Sequence, residues 1–71
     1  MTAYDLAIAD HNKAIELRPE YALAYLERCI AYALKRLNDK AIADCRASLK
    51  LDPNLLGARA RKFLNILGAA P

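Results

Sequence analysis

Residues 7–19 read AIADHNKAIELRP and residues 41–53 read AIADCRASLKLDP. Aligning them sets Ala7 on Ala41, Ile8 on Ile42, Asp10 on Asp44, Leu17 on Leu51 and Pro19 on Pro53, each at an offset of 34. A fixed period of roughly 20 to 50 residues marks stacked repeats, in which each unit buries its apolar face against the next. Both copies are amphipathic at helical spacing, with Ile8, His11 or Ala14, and Ile15 in the first and Ile42, Cys45 and Leu49 in the second. Both stop at a proline, which disfavours helical geometry in the preceding residue and cannot extend the hydrogen-bond ladder.

Between the copies, Leu23, Leu26, Ile30, Ala33, Leu34 and Leu37 form one helical stripe, and Tyr25, Cys29 and Tyr32 form a second beside it. A helix apolar on two sides must be sandwiched. After Pro53, Leu56, Ala60, Phe63, Leu64 and Leu67 give a further stripe, ended by Gly68. The pattern predicts an all-α chain of about four helices, at 3–17, 21–36, 39–51 and 55–67. Thr2 with Asp5 three residues later predicts a capping box, and Asn38 is the expected N-cap of the second copy.

Composition agrees with a helical domain. The 71 residues are 56% hydrophobic and 27% charged, with only two glycines. A chain this short buries only about 60% of the surface it exposes when unfolded, so little stability is in reserve. No apolar run reaches the roughly 18 residues of a membrane span, and an acid stands near the N-terminus where a signal peptide carries a base. The expected location is the cytoplasm, with no membrane partner. The net charge of +3 comes largely from Arg59, Arg61 and Lys62, a cluster that reads first as the wet face of a terminal helix. Cys29 and Cys45 have no CxxC spacing and no histidine at metal spacing; they are expected to be two reduced, buried thiols, with a disulfide as the alternative if their helices touch.

The period and its residue types resemble the tetratricopeptide repeat. Counting from Ala22, Tyr25 is the first-helix aromatic, Cys29 the small packing residue, Tyr32 the tyrosine, Ala41 the second-helix alanine and Pro53 the proline. Ala7, Ala14 and Pro19 supply the preceding half copy in the same frame. The resemblance implies an antiparallel helix-turn-helix α-solenoid fragment: a half repeat at 1–20, a full repeat at 21–54, a capping helix at 55–67 and a tail at 68–71. Three positions depart from the pattern. Arg28 stands where leucine is usual, with its stem expected on apolar surface and its charge in water. His11 and Cys45 replace a second-helix aromatic. Arg36 replaces a turn glycine, so that turn is expected to be distorted or to move its left-handed residue to Asn38.

Similar repeats are protein-interaction modules whose first helices line a concave groove. In this frame the resemblance implies groove positions at Leu23, Leu26, Ile30, Ala33 and Leu34, joined by Ala60, Leu64 and Leu67 of the last helix. Leu26 and Ile30 stand where some relatives carry the donors of a carboxylate clamp, so the expected ligand is an amphipathic helix or apolar peptide. The alternative is that the last helix folds over these leucines. A structural role is the second expectation: the chain starts mid-repeat, leaving Tyr4, Ile8, His11 and Ile15 without a partner, so it is expected to be either a piece of a longer array or a homo-oligomer, a dimer first of all, in which another copy covers the gap. Nucleic-acid binding through Arg46, Arg59, Arg61 and Lys62 ranks below both, for want of interleaved aromatics. No catalytic, metal or cofactor set is legible: His11 sits at a packing position, and Asp10 and Asp44 are expected to be solvated on outer faces. The chain is read as a non-enzyme without cofactor.

Overall fold

A computed structural model describes residues 1–69, and among these it is all-α. Four helices run in chain order: α1 (Ala3–Leu17), α2 (Ala22–Leu34), α3 (Asn38–Leu51) and α4 (Leu55–Ile66). The last two residues of the expected tail lie outside the described residues.

The helix ends follow from local chemistry. Thr2 Oγ1 accepts from the Asp5 amide at 3.1 Å, and the Asp5 carboxylate accepts from the Thr2 amide at 3.0 Å, closing the expected capping box. The echo extends to the C-caps. Arg18 lies at φ −142°, ψ 85° and Asp52 at φ −140°, ψ 83°, each forced out of the helix by the proline that follows. α2 closes differently: Arg36 itself takes φ 62°, while the amides of Leu37 and Arg36 donate to the carbonyls of Tyr32 and Ala33, each at 2.9 Å. The left-handed residue therefore stays at Arg36, at a cost of about 1 kcal/mol, and does not move to Asn38. Asn38 is not the N-cap of α3 either; it is the first helical residue, and Leu37 at the cap position makes no side-chain cap.

α2 is sandwiched, packing on α1 and most extensively on α3, while α4 packs on α3 and touches α2. The core is built from Leu26 and Cys29 of α2, Ala41 and Cys45 of α3, and Ala60 and Leu64 of α4. Ile30, Tyr32, Ala33, Ile42, Leu49, Leu56, Phe63 and Leu67 pack around it. Gly57 allows α4 to approach the end of α3: a Cβ there would lie 2.5 Å from the Asp52 carbonyl oxygen and 3.0 Å from Leu49 Cδ1.

Three sequence expectations fail at the α2–α3 contact. Cys29 and Cys45 are joined in a disulfide with Cα atoms 5.5 Å apart, so they are not reduced thiols. Small residues bring the two helices close there, and the two sulfurs share that space. Asp44 is not solvated. It is 6% exposed and accepts two 2.7 Å hydrogen bonds from Arg28 Nε and Nη2. Arg28 in turn does not hold its charge out in open water: its guanidinium pairs with Asp44, lies 5.5 and 5.8 Å from the centroids of the Tyr25 and Tyr32 rings, and also donates to Asn12 Oδ1 at 2.8 Å. A planar cation with a fork of donors satisfies a nearly buried carboxylate where leucine could not. The pairing raises the arginine pKa above its ordinary value.

Candidate apolar groove

The eight groove positions divide once α4 is in place. Leu26 is 2% exposed, and Ala60 and Leu64 are fully buried against it, so these three belong to the core, and of them only Leu26 borders an opening. Leu23, Ile30, Ala33 and Leu67 are half-buried, and Leu34 is 55% exposed. The last helix has folded over the middle of the expected groove. A cleft of about 300 Å³ remains there, with Arg59, Lys62 and Phe63 standing beside Leu26 and Ile30.

A more apolar groove opens on the other side of α2. Tyr4, Ala7 and His11 of α1 form one wall and Glu27, Ile30, Ala31 and Leu34 of α2 the other, around about 310 Å³. This channel unites two sets that the sequence keeps apart: Ile30 and Leu34 from the groove set, Tyr4 and His11 from the self-association set. Ile8 and Ile15 of that second set are half-buried and do not line the channel. Glu27, Ala7 and Ala31 have no apolar bulk to mark them and escape a reading by stripes; their positions at helical spacing from His11 and Ile30 are the only signal.

The groove has a firm and partly charged frame. His11 Nε2 lies 3.6 Å from the Glu27 carboxylate across the channel. Beside Tyr4, Asp5 is bonded to Lys35, tying the start of α1 to the end of α2. That hydrogen bond, with those from Thr2, lowers the Asp5 pKa to about 2. The open wall of α1 can be read against its echo. Ala41, Asp44, Cys45 and Ser48 are buried in α3, whereas Ala7, His11 and Ala14 are only half-buried and Asp10 is exposed. α2 covers the α3 face, whereas among the described residues the matching face of α1 is only partly covered.

Among the described residues, no three His, Cys, Asp or Glu side chains converge as a metal set, and no helix is long and apolar enough to cross a membrane. No buried side-chain polar atom there lacks a hydrogen-bond partner.

Comparison with known proteins gives a partial likeness. The chain is 36% identical over 61 residues to the serine/threonine-protein phosphatase T of Aspergillus oryzae. The match covers 86% of this chain but spans only 13% of that relative. No family model matches the chain, and no solved structure matches it.

Proposed function

We propose that the chain is a tetratricopeptide-like protein-interaction module that receives an amphipathic helix in the groove between α1 and α2. The observation that supports this reading is the groove itself: a shallow, mostly apolar groove of about 310 Å³ with Leu34 more than half exposed at its edge. An amphipathic helix laid in by its apolar face removes such a patch from water. The phosphatase activity named for the relative belongs to a protein of which this chain matches 13%, and no reaction is carried over from it.

A labelled peptide of residues 21–36 with Cys29→Ala tests this, because α2 is the helix that already covers the equivalent face of α3. Fluorescence anisotropy should show saturable binding to the intact chain. Leu34→Glu should weaken it at least about tenfold, or roughly 1.4 kcal/mol, without loss of helical signal. Equal affinity for Leu34→Glu and the parent chain would remove the groove from consideration.

A further inference from the structure

α2 and α3 form a contact whose two halves recur, unpaired, at the two ends of the molecule. Within it Arg28 holds Asp44, Cys29 is bonded to Cys45, and Tyr32 packs beside the core below Lys40. Stepping back 34 residues from α3 gives Ala7, Asp10 and His11 on α1 in place of Ala41, Asp44 and Cys45. Stepping forward 34 from α2 gives Lys62, Phe63 and Ile66 on α4 in place of Arg28, Cys29 and Tyr32. Both faces are left partly open among the described residues: Ile66 is 71% exposed where Tyr32 is half-buried, Lys62 is exposed while Phe63 packs half-buried against the chain's own core, and Asp10 is exposed where Asp44 is buried.

The two open faces are complementary in charge as well as in register. Glu27 lines the groove on α2, and Asp10 is exposed on α1 beside the groove residue His11. α4 carries Arg59, Arg61 and Lys62 and no acid. We infer that α4 of one copy docks in the α1/α2 groove of the next, with Lys62 opposite Asp10 as Arg28 stands opposite Asp44. This rests on the groove reading above and names its occupant as a second copy of the chain. Because the groove is at one end of the molecule and the α4 face at the other, the contact is heterologous and continues head to tail, unlike the closed dimer expected from sequence. Phe63 and His11 are bulkier than the bonded cysteines they replace, and a lysine gives a point charge where Arg28 gives a fork. The contact is therefore looser than α2 on α3, and association is reversible.

Sedimentation velocity over a concentration series tests this. The parent chain should form species that grow with concentration and shrink with added salt. Leu34→Glu blocks the groove and Ile66→Glu blocks α4. Both sites are exposed, so each variant should keep its helical signal and stay monomeric. Mixed one to one, they should form a dimer and nothing larger, since each retains one working end. Asp10→Lys and Lys62→Glu should each abolish association, and the two together on one chain should restore it. A parent chain that stays monomeric throughout would overturn the inference. So would association lost in Leu34→Glu but kept in Ile66→Glu and Lys62→Glu. The peptide titration is read independently: peptide binding without self-association leaves the groove reading standing and removes only the second copy as occupant.

Discussion

Removing the Cys29–Cys45 bond should cost this domain a large part of its stability. The bond closes a short loop between residues separated by 16 positions, and the chain-entropy cost it removes from folding is about 3 kcal/mol. Replacing both cysteines by alanine adds about 1 kcal/mol more, because both side chains are fully buried and the sulfur volume is not refilled. At roughly 0.05 to 0.15 kcal/mol per residue, the whole domain has on the order of 4 to 10 kcal/mol. A loss of about 3 kcal/mol lowers the melting temperature by roughly 12 to 24 °C in a domain of this size. Urea unfolding followed by helical circular dichroism measures this directly on the oxidised chain, the reduced chain and Cys29→Ala/Cys45→Ala. Intact mass after alkylation establishes the thiol state of each sample. A shift below about 1 kcal/mol between oxidised and reduced chains would refute the loop-closure reasoning. Two free thiols in protein folded under air would refute the bond itself.

Three further outcomes follow from named contacts. Arg28→Ala strands a carboxylate whose side chain is 8% exposed, whereas Asp44→Ala strands a guanidinium that is 19% exposed and still able to reach water. The arginine change should therefore cost more, about 3 kcal/mol against about 2 kcal/mol, with Asp10→Ala near zero; equal costs in urea unfolding would contradict the asymmetry. Gly57→Ala should destabilise by about 1 to 2 kcal/mol despite alanine's better helix propensity, because the added Cβ meets backbone that cannot yield, and a higher melting temperature would reverse that reading. Asp5 has its pKa lowered to about 2 from the ordinary 3.8, so its contribution to stability is full above 3.8 and is lost as pH falls through about 2. The stability difference between the parent and Asp5→Asn should accordingly hold at pH 5 and close toward pH 2, and a difference that widens on acidification would show the opposite linkage.

The helices were legible because their signals are local. Apolar spacing, the Thr2 and Asp5 pair and the two prolines each act within a few residues, and the helix limits agree with the sequence expectation to within two residues. The misreadings at Cys29, Arg28 and Asp44 share one cause: each depends on which residue the other helix presents 16 positions away. An aspartate at helical spacing looks solvated until an arginine is placed over it. The groove failed for a related reason, since Leu26 reads as surface in a single helix and becomes core only when Ala60 and Leu64 are laid on it. Arg36 is the converse case. The glycine missing from that turn suggested a displaced bend, but Leu37 and Arg36 still cap α2 through backbone hydrogen bonds that no side chain encodes.

The two copies of AIAD thus carry the same letters into different surroundings. In α3 the aspartate meets Arg28 and the next residue meets Cys29, so that copy is consumed in holding the fold. In α1 the same positions are Asp10, which is exposed, and His11, which lines an apolar groove that no helix among the described residues fills. A pattern that encodes packing becomes a recognition surface when its partner is withheld, because the shape, charge and apolar area that would have closed a core are then available to another molecule. The difference between Asp44 and Asp10 measures that change: one makes a buried ion pair that holds the fold, and the other stands exposed, where the proposed contact would use it.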